Sequence, residues 1–103
     1  MKKTTFDEIV DEQLARCHDL LILKGQEYGA GEDRLASFKK AGALQGMSQA
    51  EAALGMLAKH LVSVTEMIQS RQHFTTDRWN EKITDSINYL LIIRAIVEED
   101  AAV

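Results

Sequence analysis

Not one of the 103 residues is proline, and nowhere do apolar and polar residues alternate long enough to make a strand. Apolar side chains instead return every third or fourth position, the repeat that lines one face of an α-helix. The clearest run is Leu54, Leu57, Leu61, Val64 and Ile68, a coiled-coil-like seam. Such a chain is all-α, and its length allows one helical domain over residues 1–103, near the small end of what one core stabilises.

Local signals divide it into helices. Thr5 with Glu8 makes the Thr-x-x-Glu capping box that opens the first, whose stripe is Phe6, Val10, Leu14, Cys17 and Leu21. Continuing the count reaches Lys24 and Tyr28, and a lysine there either snorkels to solvent or points into a pocket. Glycine costs about 1 kcal/mol relative to alanine inside a helix. The helix is therefore expected to weaken at Gly25 and to end by Tyr28-Gly29-Ala30-Gly31, where the glycines permit a left-handed turn. Asp33 then caps a short helix over residues 34 to about 41, with Leu35 and Phe38 inward, and Gly42 and Gly46 bracket a turn. Ser48 with Glu51 repeats the capping box and opens a long helix to about residue 70.

Asp77 is placed to cap the last helix, residues 78 to about 98, with Trp79, Ile83, Ile87, Leu90 or Leu91, and Val97 inward. Glu98-Glu99-Asp100 puts negative charge at the negative end of that helix, which predicts fraying. Three long helices and one short one make a small bundle. Tyr89, Ile92, Ile93 and Ile96 lie off the last stripe, and Met56 and Met67 lie off the leucine seam. Apolar residues on several faces of so short a chain imply a second helical layer from another subunit, so the bundle is expected to be completed as a homodimer or higher homo-oligomer.

Charge and cysteine content narrow the function. A net charge of -4 argues against a general grip on duplex nucleic acid. No apolar run approaches the roughly 18 residues that span a bilayer, and the acidic start MKKTTFDEIVDEQ is unlike a secretory signal, so a cytoplasmic location away from membranes is expected. Cys17, the only cysteine, excludes an internal disulfide and a thiolate metal cluster, and reads as a small buried apolar residue.

Polar side chains on otherwise apolar helices mark a candidate site. In WNEKITDSINY, residues 79–89, spacings of four and three set Glu81, Asp85 and Asn88 on one face. Two carboxylates and an amide suit one hard cation or the polar edge of a nucleotide. Surface ion pairs with Arg78 or Lys82 are the plainer reading, but an amide well inside an apolar helix is costly unless something hydrogen-bonds it. On the preceding helix Lys59, Ser63 and Glu66 share a face beside His60. They form either a solvated stripe, with the Ser63 hydroxyl bonded to its own backbone, or a pocket for an anion such as phosphate.

The order Lys24-x-x-Glu27-Tyr28-Gly29, Asp33-Arg34-Leu35-x-x-x-Phe38, Lys59-His60-x-x-Ser63 and Trp79-x-Glu81-Lys82-Ile83-x-Asp85-x-x-Asn88-Tyr89-Leu90 resembles a family of small, mostly phage-encoded helical proteins. That family is labelled nucleotide-modification-associated and is akin to the MazG-like all-α nucleoside triphosphate pyrophosphohydrolases. The likeness covers about residues 20 to 97, and its last block is the specific part. It implies Mg²⁺ held by acidic motifs on two helices, with Glu81, Asp85 and Glu66 as the metal ligands here. This chain departs from the pattern: Lys82 stands where another carboxylate is common, and Lys59 and His60 replace the acidic cluster of the earlier helix.

Cations beside a phosphate assist binding, whereas cations beside an acidic metal cluster oppose it. The expected function is thus a phage-type protein that holds a phosphorylated nucleotide without efficient hydrolysis and sequesters a host signalling nucleotide. Lys24, Arg34, Lys59, His60 and Lys82 would grip phosphate with Ser63, Tyr28 and Trp79 would face a base, and Asn88 with the acids would take base or ribose edges or a single Mg²⁺. No residue is assigned a catalytic role in that reading. The rivals are a Mg²⁺-dependent nucleoside triphosphate pyrophosphohydrolase and a structural interaction module.

Overall fold

The computed structural model describes residues 1–28 and 33–102, with the side chains of all of these except residues 26–28. Among the described residues there are four helices and no strand: α1 (Lys3–Tyr28), α2 (Ala36–Gln45), α3 (Gln49–Gln69) and α4 (Thr76–Ala101). This is the expected bundle of three long helices and a short one. The spine is α4, which packs on α3 along one side and on α1 along the other, while α2 lies against α3.

The helix ends follow local chemistry, with shifts of a residue or two from the sequence expectation. At α3 the capping box forms as expected: Ser48 Oγ accepts from the Glu51 amide and the Glu51 carboxylate accepts from the Ser48 amide, both at 3.1 Å. Thr5 lies inside α1, which begins at Lys3 and is not interrupted at Gly25. The expected turn at Gly29-Ala30-Gly31 lies outside the described residues. The cap of α4 is Thr75, whose hydroxyl accepts from the Arg78 amide at 3.2 Å, two residues before the expected Asp77. The N-cap of α2 is Leu35, with no side-chain cap, not the expected Asp33, whose carboxylate instead accepts from the Leu35 amide at 2.9 Å in the turn before the helix. Gly42 falls inside α2, and Gly46 ends that helix at a φ of +67°, the left-handed geometry that glycine adopts without steric cost.

Helix α4 runs to Ala101, past the expected end near residue 98, and other helices supply partners for its acidic end. Lys39 of α2 reaches Glu99 at 3.0 Å and Asp33 at 2.6 Å, and the Gln49 amide donates to both Glu99 and Asp100. The Lys39 ammonium, with the Leu35 amide second, holds the Asp33 carboxyl below its ordinary range; the Gln49 amide and then Lys39 do the same for Glu99. Arg94 pairs with Glu98 one turn away.

The core differs most from the sequence reading. It centres on Leu35, Ala53 and Ile96, with Phe38, Ala50, Ile92 and Ile93 packed around them. Leu35 and Phe38 thus point inward as expected. On α4 the inner face is the one assigned to a partner subunit: Ile96 is fully buried while Leu90, Leu91 and Val97 are exposed. On α3 the burial shifts in the same sense, to Ala52, Ala53, Leu57 and Met67, and leaves Leu54 57% and Ile68 69% exposed. The cause is residue size. Alanines at 52 and 53 let α2 and α4 approach closely, and a leucine at those places would overpack the contact. On α1 only the second half of the stripe is covered: Cys17 is buried and Leu21 half-buried, but Phe6, Val10 and Leu14 are exposed. Gln13, one turn before Cys17, completes the contact by donating to Thr84 Oγ1 of α4 at 2.8 Å.

Candidate functional site

Where α1, the start of α2, α3 and α4 converge, they enclose a cavity of about 520 Å³. That is within the usual range for small-ligand sites. Its apolar wall is Leu21 of α1, Leu35 and Phe38 at the start of α2, Met56 of α3, and Leu91 and Ile92 of α4. Its polar groups are few: Lys24 and Arg34 on the α1–α2 side, Ser37, and the Asp85–Asn88–Tyr89 segment of α4.

Helical spacing explains the α4 contribution. Asp85 and Asn88 stand three residues apart and Tyr89 four from Asp85, so all three project onto one surface. Asn88 is 6% exposed, and neither its amide nitrogen nor its carbonyl oxygen has a hydrogen-bond partner. A buried amide left in this way costs roughly 1–3 kcal/mol, and this group stands in the cavity wall. Beside it, the Asp85 side chain is 18% exposed and His60 of α3 is 17% exposed. His60 Nδ1 lies 3.9 Å from Asp85 Oδ2, close enough for electrostatic contact but too far for a hydrogen bond. The imidazole stacks on the Tyr89 ring at 5.1 Å, and Phe38 meets the same ring edge-on at 6.4 Å. Burial first, and the Asp85 charge second, push the Tyr89 phenol above its ordinary range.

The cationic side is built around Gly25. Arg34 crosses to α1 and donates to the Leu21 carbonyl at 2.9 Å. A Cβ at Gly25 would sit 2.7 Å from the Arg34 Cζ, so any other residue there displaces the guanidinium from this position. The residue that the sequence marks as a weak point of α1 is the seat of an arginine. Lys24 is exposed and lines the same cavity.

Of the residues singled out in the sequence, the structure brings together Lys24, Arg34, Asp85 and Asn88, with His60 behind Tyr89. The Tyr28 side chain lies outside the described residues. Lys59 is exposed and does not line the cavity, and the Ser63 hydroxyl donates back to the Lys59 carbonyl at 3.3 Å. Lys82 is half-buried, and its carbonyl accepts from Ser86. Trp79 sits at the start of α4 against Phe74, and nine residues of helix, roughly 14 Å, separate it from Asn88. Glu66 and Glu81 are exposed. Among the described residues no three histidine, cysteine, aspartate or glutamate side chains gather to hold a metal ion. Glu66, Glu81 and Asp85 are thus not gathered into one three-ligand cluster.

Phe38, Tyr89, Met56 and Ser37 are site residues that the sequence reading did not assign to the site. Phe38 and Tyr89 carried a signal, since each stands within a motif quoted for the family resemblance. Met56 and Ser37 carried none. No protein-family model matches this chain. No curated protein and no solved structure matches it either. The chemistry of the cavity is therefore read from its own side chains. Among the described residues, no helix is long and apolar enough to cross a membrane.

Proposed function

We propose that the chain binds a phosphorylated nucleotide in the cavity between α1, α2 and α4. The unpartnered amide of Asn88, buried in the cavity wall, carries this reading, because a polar ligand that bonds it offsets the cost of its burial. The other groups suit the parts of such a ligand. Lys24 and Arg34 supply positive charge for phosphate oxygens, Phe38 and the apolar wall supply surface for a flat base, and Asp85 with Asn88 supplies hydrogen bonds for its edge. A pocket with cations but no acidic cluster fits holding the ligand rather than cleaving it. A phage-type role in sequestering a host signalling nucleotide rests on the family resemblance alone.

Purified protein is expected to melt at a higher temperature with at least one member of a panel of nucleoside mono-, di- and triphosphates and cyclic dinucleotides, with the ligand recovered intact by chromatography. Cleaved product that forms only with Mg²⁺ would point instead to a pyrophosphohydrolase. No shift with any member would leave a structural interaction module.

The reading includes a homo-oligomer. Phe6, Val10 and Leu14 on α1, and Leu54, Leu61 and Ile68 on α3, form two exposed apolar stripes at helical spacing, a pattern that marks contact surfaces. Sedimentation at micromolar concentration is expected to give at least twice the chain mass of 11.5 kDa. A particle of that single mass would remove the oligomer from the proposal.

A further inference from the structure

We infer that the cavity selects a guanine base, with Asp85 and Asn88 reading its Watson–Crick edge. The inference rests on the nucleotide reading above and adds the identity of the base. Its basis is the order of donors and acceptors on α4. Asp85 offers two acceptor oxygens and no donor, and its ion-pair neighbour, His60 Nδ1, stands 3.9 Å away and outside hydrogen-bond range. Three residues further along the same face, Asn88 offers an unpartnered amide N–H₂ and an unpartnered carbonyl. A base that presents two adjacent N–H donors engages both carboxylate oxygens, and an acceptor beside them takes the Asn88 N–H₂.

Guanine has that order: N1–H and N2–H₂ side by side, then O6. Adenine presents one donor next to a bare ring nitrogen, which would face the carboxylate with a lone pair against a charge. Uracil places its single donor between two carbonyls, and cytosine has one donor beside two acceptors. For each of these three bases a carboxylate oxygen would meet another acceptor inside a partly buried pocket, where like dipoles are poorly screened. Phe38 provides the flat surface on which a purine can lie, and Arg34, seated over Gly25, is placed toward the phosphate side.

The test is calorimetric titration of the full chain with guanosine, inosine, adenosine and xanthosine 5′-diphosphates. Inosine lacks only the N2 amino group, so the guanosine compound is expected to bind roughly 10- to 100-fold more tightly than the inosine one, the discrimination typical of a bidentate edge contact. In Asp85→Asn the amide replaces one acceptor with a donor, which matches xanthine O2. The variant is expected to favour the xanthosine compound over the guanosine one, by a margin of similar size. Equal affinity for guanosine and inosine, or preference for adenosine, overturns the choice of base and leaves nucleotide binding standing. Absence of binding by all four, with no stabilisation by any nucleotide of the wider panel, overturns both. The wild-type comparison decides the matter even where Asp85→Asn fails to fold.

Discussion

Replacing Asn88 with leucine is expected to make the ligand-free protein more stable and to abolish binding. The two effects come from one fact. Asn88 is 94% buried, and both of its polar side-chain atoms lack partners, so the folded state bears the desolvation of an amide with no compensating bond. Leucine has the same branched skeleton and no polar atoms, and its larger methyl groups extend toward the cavity, which removes that cost of roughly 1–3 kcal/mol. For a domain of about this size each kcal/mol moves the melting temperature by roughly 4–8 °C, so the variant should melt at least about 4 °C higher than wild type. The same exchange deletes the group that ligand binding satisfies, and any nucleotide that stabilises wild type should leave Asn88→Leu unshifted. A variant that melts lower shows that Asn88 holds the fold together. One that melts higher and still binds shows that the amide has no part in recognition. Either outcome removes the observation on which the functional reading stands.

That pairing of a destabilising group with a cavity was partly legible in the sequence, because an asparagine within an apolar helix stands out against its neighbours. Asp85 was legible for the same reason, through its spacing from Asn88. The Ser48–Glu51 box was legible because a cap depends on four consecutive residues and on nothing distant. Features that depend on which side of a helix meets which neighbour were not. Lys59 and His60 illustrate this. Adjacent residues on a helix do not face the same way, and only His60 turns toward Asp85 and Tyr89. Gly25 read as a weakness, since its value lies in an arginine nine residues later whose approach no local rule reveals.

The clearest ambiguity is the rotation of α4, and a pair of substitutions resolves it. Between residues 87 and 97 isoleucine, leucine, valine and tyrosine occur on all sides of this helix, so periodicity alone selects no face. The decision falls to the partners. Ala53 of α3 and Leu35 ahead of α2 form a recess that takes Ile96, which is 0% exposed, whereas Val97 next to it is 52% exposed.

Ile96→Ala removes buried methyl and methylene groups and leaves a cavity among groups that are already closely packed. The expected cost is roughly 2–5 kcal/mol, against a total stability of about 5–15 kcal/mol for an ordinary domain. The melting temperature should fall by at least about 8 °C, while Val97→Ala should stay within about 0.5 kcal/mol of wild type. Leu35, the neighbour that would slacken, follows Arg34 directly, so Ile96→Ala should also weaken nucleotide binding although Ile96 does not line the cavity. A larger loss at Val97 than at Ile96 would mean that α4 presents its other face to the core. Asp85, Asn88 and Tyr89, which share that helix, would then be turned away from Lys24 and Arg34, and the proposed site would not exist.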